Sequence, residues 1–196
     1  MTTSTTPTSE LEAINLMLQV IGESPLSTLN DVTVADAILA KSILSEASRE
    51  VQSKGYDFNT EDLYPLLPSA DGGEITLPPN CLRVDTDGNF SDLRVVQRGN
   101  RLYNKATHSY SFDYPITAQL VLCLPFEELP QTARHYITIK AARKFQERTV
   151  GSDALYQHSV RDEAEARVAF KKAEGNTADH NILTDSYSVA NILQRR

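Results

Sequence analysis

Tryptophan is absent from this chain of 196 residues, and cysteine and methionine occur twice each. Two thiols, Cys81 and Cys123, are too few for a disulfide framework or a zinc cluster. Both fall in stretches that read as strands, where a free thiol behaves as a small buried hydrophobe. The four histidines, His108, His135, His158 and His180, are dispersed. None has a second histidine three to five residues away, the spacing a metal centre favours. No apolar run approaches the roughly 18 residues that suggest a membrane span. The opening MTTSTTPTSE has neither the basic region nor the apolar core of a secretory signal and reads as a flexible arm. No glycine-rich phosphate cradle and no G-x-S-x-G elbow is present, so neither nucleotide binding nor a serine nucleophile has a local signature, and no cofactor is expected. Positive charge is in deficit, with 19 Lys and Arg against 26 Asp and Glu, a net −7. Such a surface offers little counterion release to a phosphate backbone.

What is present is a globular composition, 40% hydrophobic and 23% charged, enough for one domain or a domain carrying an insert. Ser9-x-x-Glu12 has the form of a capping box, and Leu11, Ile14, Leu18 and Ile21 recur at helical spacing as far as a stop at Gly22. After the connector GESPLSTLNDVTVADA, whose Pro25 prevents continuation of the first helix, Thr33 or Asp31 caps a second helix to about Lys54. Its expected stripe is Ile38, Leu39, Ile43, Leu44, Ala47 and Val51. From Gly55 onward proline, glycine and short β-type runs dominate. EITLP, CLRVDTD, LRVVQ, RLYN and ITAQLVLCL are candidate strands, and Asp87-Gly88 and Gly99-Asn100 fit hairpin turns. A third helix starts near Pro130, with Ala133, Tyr136, Ile137, Ala141 and Phe145 as its stripe. Gly151 ends it, and a fourth helix runs from Ser152 to about Glu174 around Leu155, Ala166, Ala169, Phe170 and Ala173. The resulting expectation is an α+β fold: a four-helix bundle-like domain (9–55 and 127–175) with a small antiparallel β domain inserted at 56–126. An N-terminal arm (1–8) and an extended C-terminal docking arm (176–196) flank it.

Two clusters invite chemistry. Asp85, Asp87 and Asp92 lie in RVDTDGNFSD, where a paired carboxyl site for glycoside hydrolysis would need one acid raised by burial; Asp-Gly is turn chemistry first. The partial D-x-D-G likeness to a calcium loop is broken at Phe90 and Leu93. The third helix carries Arg134, Lys140, Arg143, Lys144 and Arg148, a possible phosphate-contacting face. Its neighbouring aromatics, Tyr136 and Phe145, fit the apolar stripe better than an exposed stacking platform. These cations are therefore expected to meet carboxylates on the fourth helix or on another subunit. In the last segment Ile182, Leu183, Tyr187, Val189, Ile192 and Leu193 are isolated apolar anchors in a polar arm that needs a surface to dock on.

Three phrases occur together and in order: an I-G-E-x-P joint at Ile21–Pro25, V-Q-S-x-G-aromatic-x-F-N at Val51–Asn59, and L-P-x-x-x-R-x-Y-I at Leu129–Ile137. With these the chain resembles the tail tubular protein A family, the head-to-tail adaptors of short-tailed, podovirus-type bacteriophages, from about Leu11 to about Leu183. Tyr56 stands where the resemblance implies tryptophan. The resemblance implies a non-enzymatic virion protein in the tail at the portal vertex, assembled in the host cytoplasm. There it would form a ring of twelve between the portal protein and the tail nozzle (tubular protein B), with tail fibres as further neighbours. Genomic DNA would pass through the lumen without sequence-specific binding, and no membrane is involved. On this reading the lumen is acidic, and Arg134, Arg143 and Lys144, with the C-terminal anchors, belong to subunit contacts. The alternatives are a polysaccharide-hydrolysing tail component built on the carboxylates around Asp85 and Asp87, and a DNA-binding regulator, which the acidic balance disfavours.

Overall fold

The computed structural model describes residues 6–30, 34–86, 90, 93–151 and 153–177. Helix α1, Glu10–Val20, begins with the expected capping box: Ser9 N donates to Glu12 Oε2 at 2.9 Å and Glu12 N donates to Ser9 Oγ at 3.2 Å. At its other end Gly22 adopts φ +84. Glu23 N then bonds Leu18 O at 3.0 Å and Gly22 N bonds Gln19 O at 3.1 Å, the paired closure of a Schellman motif. The connector that follows is fixed by one side chain. Asn15 accepts from Leu26 N at 2.7 Å and donates to Leu26 O at 2.9 Å, folding the chain back along α1.

Helix α2, Ala35–Gln52, has Val34 at its N-cap and no side-chain cap; Thr33 and Asp31 lie outside the described residues. Its inward face is Ala37, Ala40, Ile43, Leu44, Ala47 and Val51, while Ile38 and Leu39 are turned outward. Alanines let the backbone approach its neighbours closely, and in the first two turns Ala37 and Ala40 take the inward positions in place of Ile38 and Leu39. Helix α3, Gln131–Thr149, buries all five residues of its expected stripe and packs against α1, α2 and α4. Helix α4, Asp153–Thr177, buries Ala166 and Phe170, whereas Ala169 is exposed and Ala173 half-buried.

Of the candidate strands, CLRVDTD supplies β2 (Cys81–Thr86), LRVVQ supplies β3 (Val95–Arg98), RLYN supplies β4 (Arg101–Asn104) and ITAQLVLCL supplies β5 (Ile116–Leu122). EITLP forms only the isolated bridges Glu74↔Ser111 and Thr76↔Arg101 among the described residues, although Ile75 and Leu77 point into the core as alternation predicts. Strand β1, Thr60–Leu66, lies outside the candidate strands. The antiparallel order is β1-β5-β2, so β1 is an edge and tolerates Pro65. A register shift between Glu61 and Tyr64, with Leu63 at φ 52, interrupts its ladder. β3 and β4 form a separate ribbon closed at Gly99-Asn100, with Gly99 at φ +63. Cys81 is buried, and Cys123, one residue beyond β5, is half-buried; both are free thiols.

The apolar side chains gather into two clusters. One is the helical core around Ile14, Met17, Leu44, Val51, Tyr136 and Phe145. The other lies under the sheet around Leu66, Ile75, Leu77, Leu102, Ile116 and Leu120. The architecture is thus mixed α+β, with four helices and antiparallel sheets among the described residues.

Candidate assembly site

The chain crosses between the two cores twice, after α2 and after β5, and two buried amides join the crossings. Gln52, fully buried, accepts from Leu124 N at 2.7 Å and donates to Leu124 O at 3.0 Å. Asn59 donates to Gln52 O at 3.0 Å and Leu122 O at 2.7 Å, and its own oxygen accepts from Tyr56 N at 2.9 Å. The outgoing and returning strands are therefore held by side chains whose polar groups are matched, as burial requires. Between them Gly55 turns at φ +75, where an added Cβ would lie 2.8 Å from Arg83 Nη2 and 3.0 Å from Val121 Cγ2. Gly22, at φ +84, has nothing within 4 Å. Gly22→Ala is expected to cost only the backbone strain, about 1 kcal/mol. Gly55→Ala should cost more, because Arg83 and Val121 must also move; urea midpoints of the two variants against the parent measure the difference.

A second latch ties the N-terminal approach to α3. Arg134 is 8% exposed. Its Nε donates to Leu129 O at 2.7 Å, and its Nη1 donates to Thr8 O at 2.9 Å and to Glu127 Oε2 at 3.1 Å. Its Nη2 donates to Glu127 O. Glu127 in turn accepts from Glu10 N at 2.8 Å at the start of α1, where a carboxylate meets the favourable end of the helix dipole. Gln131 and Thr8 exchange two further bonds of 2.8 Å.

Along the opposite flank of α3 runs a chain of alternating charges. Arg148 donates to Glu46 at 2.9 and 3.0 Å, and Lys144 bridges Glu46 at 2.9 Å to Glu50 at 2.7 Å. Lys140, 7% exposed, donates to Glu50 at 2.7 Å and lies 3.8 Å from Glu163 of α4. Arg143 donates to Glu163 and, at 3.3 Å, to Glu147. The match is helical geometry: Glu46 and Glu50 are one turn apart on α2, and Lys140, Lys144 and Arg148 repeat by one turn on antiparallel α3. The carboxyl of Glu46 is lowered to about 2 by hydrogen bonds from Arg148 and then Lys144, and that of Glu50 to about 2 by Lys140 and then Lys144.

These shifts set an acid dependence. The folded values lie below the ordinary 4.5, so the stabilisation is complete above about pH 4.5 and is lost as pH falls toward 2. Stability measured by urea unfolding is expected to fall across that window, and Glu46→Gln with Glu50→Gln should flatten the fall. Glu174 on α4 has the opposite sign. Burial pushes its carboxyl up, against a hydrogen bond from the Asp57 backbone, and its Oε2 has no partner among the described residues. A raised acid favours the folded state only at low pH, so Glu174→Gln is expected to stabilise at pH 7 and to be neutral in acid.

The cations of α3 thus meet carboxylates of α4, as anticipated for Arg143, and also of α2 and of the 3-10 turn Phe126–Glu128. Arg134 stands apart from Arg143 and Lys144, in the latch. Their partners Glu46, Glu50 and Glu163, and the clamp residues Gln52 and Asn59, escape a reading of local motifs because each pairing is remote in sequence. The last two do fall inside the Val51–Asn59 phrase. Asp85 is exposed on β2 opposite Gln119; Asp87 and Asp92 lie outside the described residues, as do Ile182, Leu183, Tyr187, Val189, Ile192 and Leu193. Phe90 and Tyr103, the aromatics that follow Asp85 in the sequence and that a sugar site there would call on, each pack against other side chains. Phe90 stacks on Tyr114 at 6.0 Å, and Tyr103 is covered by Arg98 at 3.6 Å and Tyr110 at 4.9 Å.

What these clamps and ion pairs share is that they hold helices to helices and helices to sheet. Comparison with known proteins agrees with a structural role. The family model described as tail tubular protein matches residues 11–180. The chain is also 33% identical over 153 residues to the tail tubular protein A of Klebsiella phage KP34, covering 78% of this chain and 80% of that protein. The three sequence phrases are accounted for within this match: the Schellman stop and Asn15-held connector, the Gln52–Asn59 clamp, and the Arg134 latch. The chain belongs to the tail tubular protein family of bacteriophage tails.

Proposed function

We propose that this protein is a wall subunit of the phage tail, a head-to-tail adaptor that forms a ring of twelve between the portal and the tail nozzle and through which the genome leaves. The observation that carries the reading is family membership, joined to the use of polar side chains as internal clamps. The helical parts, 9–55 and 127–175, form the wall, and the β part at 56–126 projects from it. The segment that follows α4, through Ile182, Leu183, Tyr187, Val189, Ile192 and Leu193, serves as the arm that meets a neighbour or the portal. Arg134, Arg143 and Lys144 serve the interface indirectly, by fixing α1, α2 and α4 around α3. A net charge of −7 per copy, repeated around a lumen, keeps a passing duplex off the wall, whereas a basic wall would hold it at many phosphates. No catalytic step is assigned. The hydrolase reading is less supported, since Phe90 and Tyr103 are stacked against other side chains.

Native mass measurement of the purified protein, alone and after mixing with portal rings, tests the proposal. Copies accumulating on the portal to a fixed stoichiometry of twelve are expected. Particles that assemble and infect without this protein would overturn it.

A further inference from the structure

Helix α4 is about 37 Å long at about 1.5 Å per residue. It is anchored inward among the described residues by Ala166 and Phe170. Val160, Ala164 and Val168 repeat every four residues and form a second apolar row, which starts beside α3, where Val160 and Ala164 line a shallow pocket with Arg143, and runs outward to Val168, 67% exposed. An amphipathic helix needs one such stripe to join its own core; the outer end of this row, Ala164 and Val168 with Ala169, is an exposed apolar surface lined by α4 residues alone. Its borders are basic. Arg167, Lys171 and Lys172 are exposed and form no ion pair among the described residues, while Arg161 is paired with Glu165 at 3.0 Å.

The edge of α1 has the opposite character. Leu16 and Val20 are 37% and 40% exposed and, with Ile139 and Ala142 of α3, line a groove of about 160 Å³. Its lining also holds Asp162 and Arg143, the latter already paired with Glu163 and Glu147; on the α1 side Glu12 is exposed one turn before Leu16, and Glu23 is exposed just past the helix end. A closed ring requires two different faces on each subunit, each complementary to the other. We propose that Ala164 and Val168 of α4 in one copy seat on the Leu16–Val20 groove of the next copy, with Arg167 and Lys171 opposite the acidic border of α1. This rests on the tube-wall reading above and specifies which helix faces close the ring. The apolar ridge supplies the contact, and the opposed charges set its direction and reject the two-fold alternative of ridge on ridge.

The test uses assembled tails carrying Cys81→Ser and Cys123→Ser, in which Leu16→Cys chains and Val168→Cys chains are co-expressed. Both substitutions are at exposed positions. After oxidation, a covalent species of twice the chain mass is expected from the mixture and from neither variant alone. A pair formed by Val168→Cys alone would overturn the proposal in favour of a two-fold contact. So would mixed tails that stay single-chain while copy counting finds several chains per tail, an outcome that leaves the tube reading standing. A count of one chain per tail would remove both. Independently, Arg167→Glu with Lys171→Glu should cause loss of the protein from tails, and adding Glu23→Lys should restore it. Incorporation unaffected by the charge reversal would count against the proposed register.

Discussion

Truncating Phe170 to alanine is expected to destabilise the protein by about 3–5 kcal/mol, a fall of about 2–4 °C in melting temperature for each kcal/mol in a chain of this size. Phe170 is 1% exposed and is the meeting point of three rings. Tyr136 of α3 stacks on it at 5.5 Å, Tyr56 meets it edge-on at 4.7 Å, and Phe58 lies at 6.4 Å. Each aromatic pair adds about 0.5–1.5 kcal/mol beyond burial. The loss should be local before it is global. Since Ala166 is the other buried anchor described on α4, hydrogen exchange of α4 amides is expected to accelerate strongly while those of α1 and α2 change little. Phe170→Leu, which keeps much of the volume, should cost markedly less. Equal acceleration throughout the helices would mean that α4 is not an independently anchored layer.

The same residue illustrates what could be read in advance. Phe170 falls in its helix's expected stripe, as do all five members of the α3 stripe, because bulky residues at helical spacing carry a strong signal. On α2 that signal misleads. Ile38 and Leu39 have the bulk but face outward, whereas Ala37 and Ala40 are buried: close packing against α1 and α3 selects small side chains, and tertiary fit outweighs hydropathy. β1 is obscured by Pro65 and the interruption at Leu63, both tolerable only because the strand is an edge, a property set by topology and not by its own residues.

The charged face of α3 is legible as a row of cations but not as a buried one. Lys140 becomes a 7% exposed bridge only because Glu50 and Glu163 reach it from helices before and after it in the chain. Paired, partly buried charges of this kind hold a geometry more than they add net stability, since desolvation offsets much of the attraction. For the proposed wall subunit that would be a useful property: complementary rows of charge join α2, α3 and α4, and closure of the proposed ring would depend on the angles among them.

Asn59→Ala is expected to cost about 2–4 kcal/mol, because Gln52 O, Leu122 O and Tyr56 N lose their partner at a site where Asn59 itself is 2% exposed. Its signature should differ from that of Phe170→Ala. The clamp joins the strand leaving α2 to the strand returning toward α3, so weakening it loosens the helical core from the sheet core without opening either. Calorimetry is expected to show the parent's transition broadening or splitting into two. Asn59→Leu should fare no better, since volume without polar matching leaves the same three groups unpaired. Gln52→Ala alone is expected to cost a similar amount through the lost Leu124 bonds, which measure 2.7 and 3.0 Å. Combined with Asn59→Ala it should cost less than the sum, because the two amides act on one joint. Strict additivity in that double-mutant cycle would mean that the two crossings are held separately. In the proposed wall, a single coupled joint gives the β part a fixed orientation on the helices, so that each copy around the ring would present its sheet at the same angle.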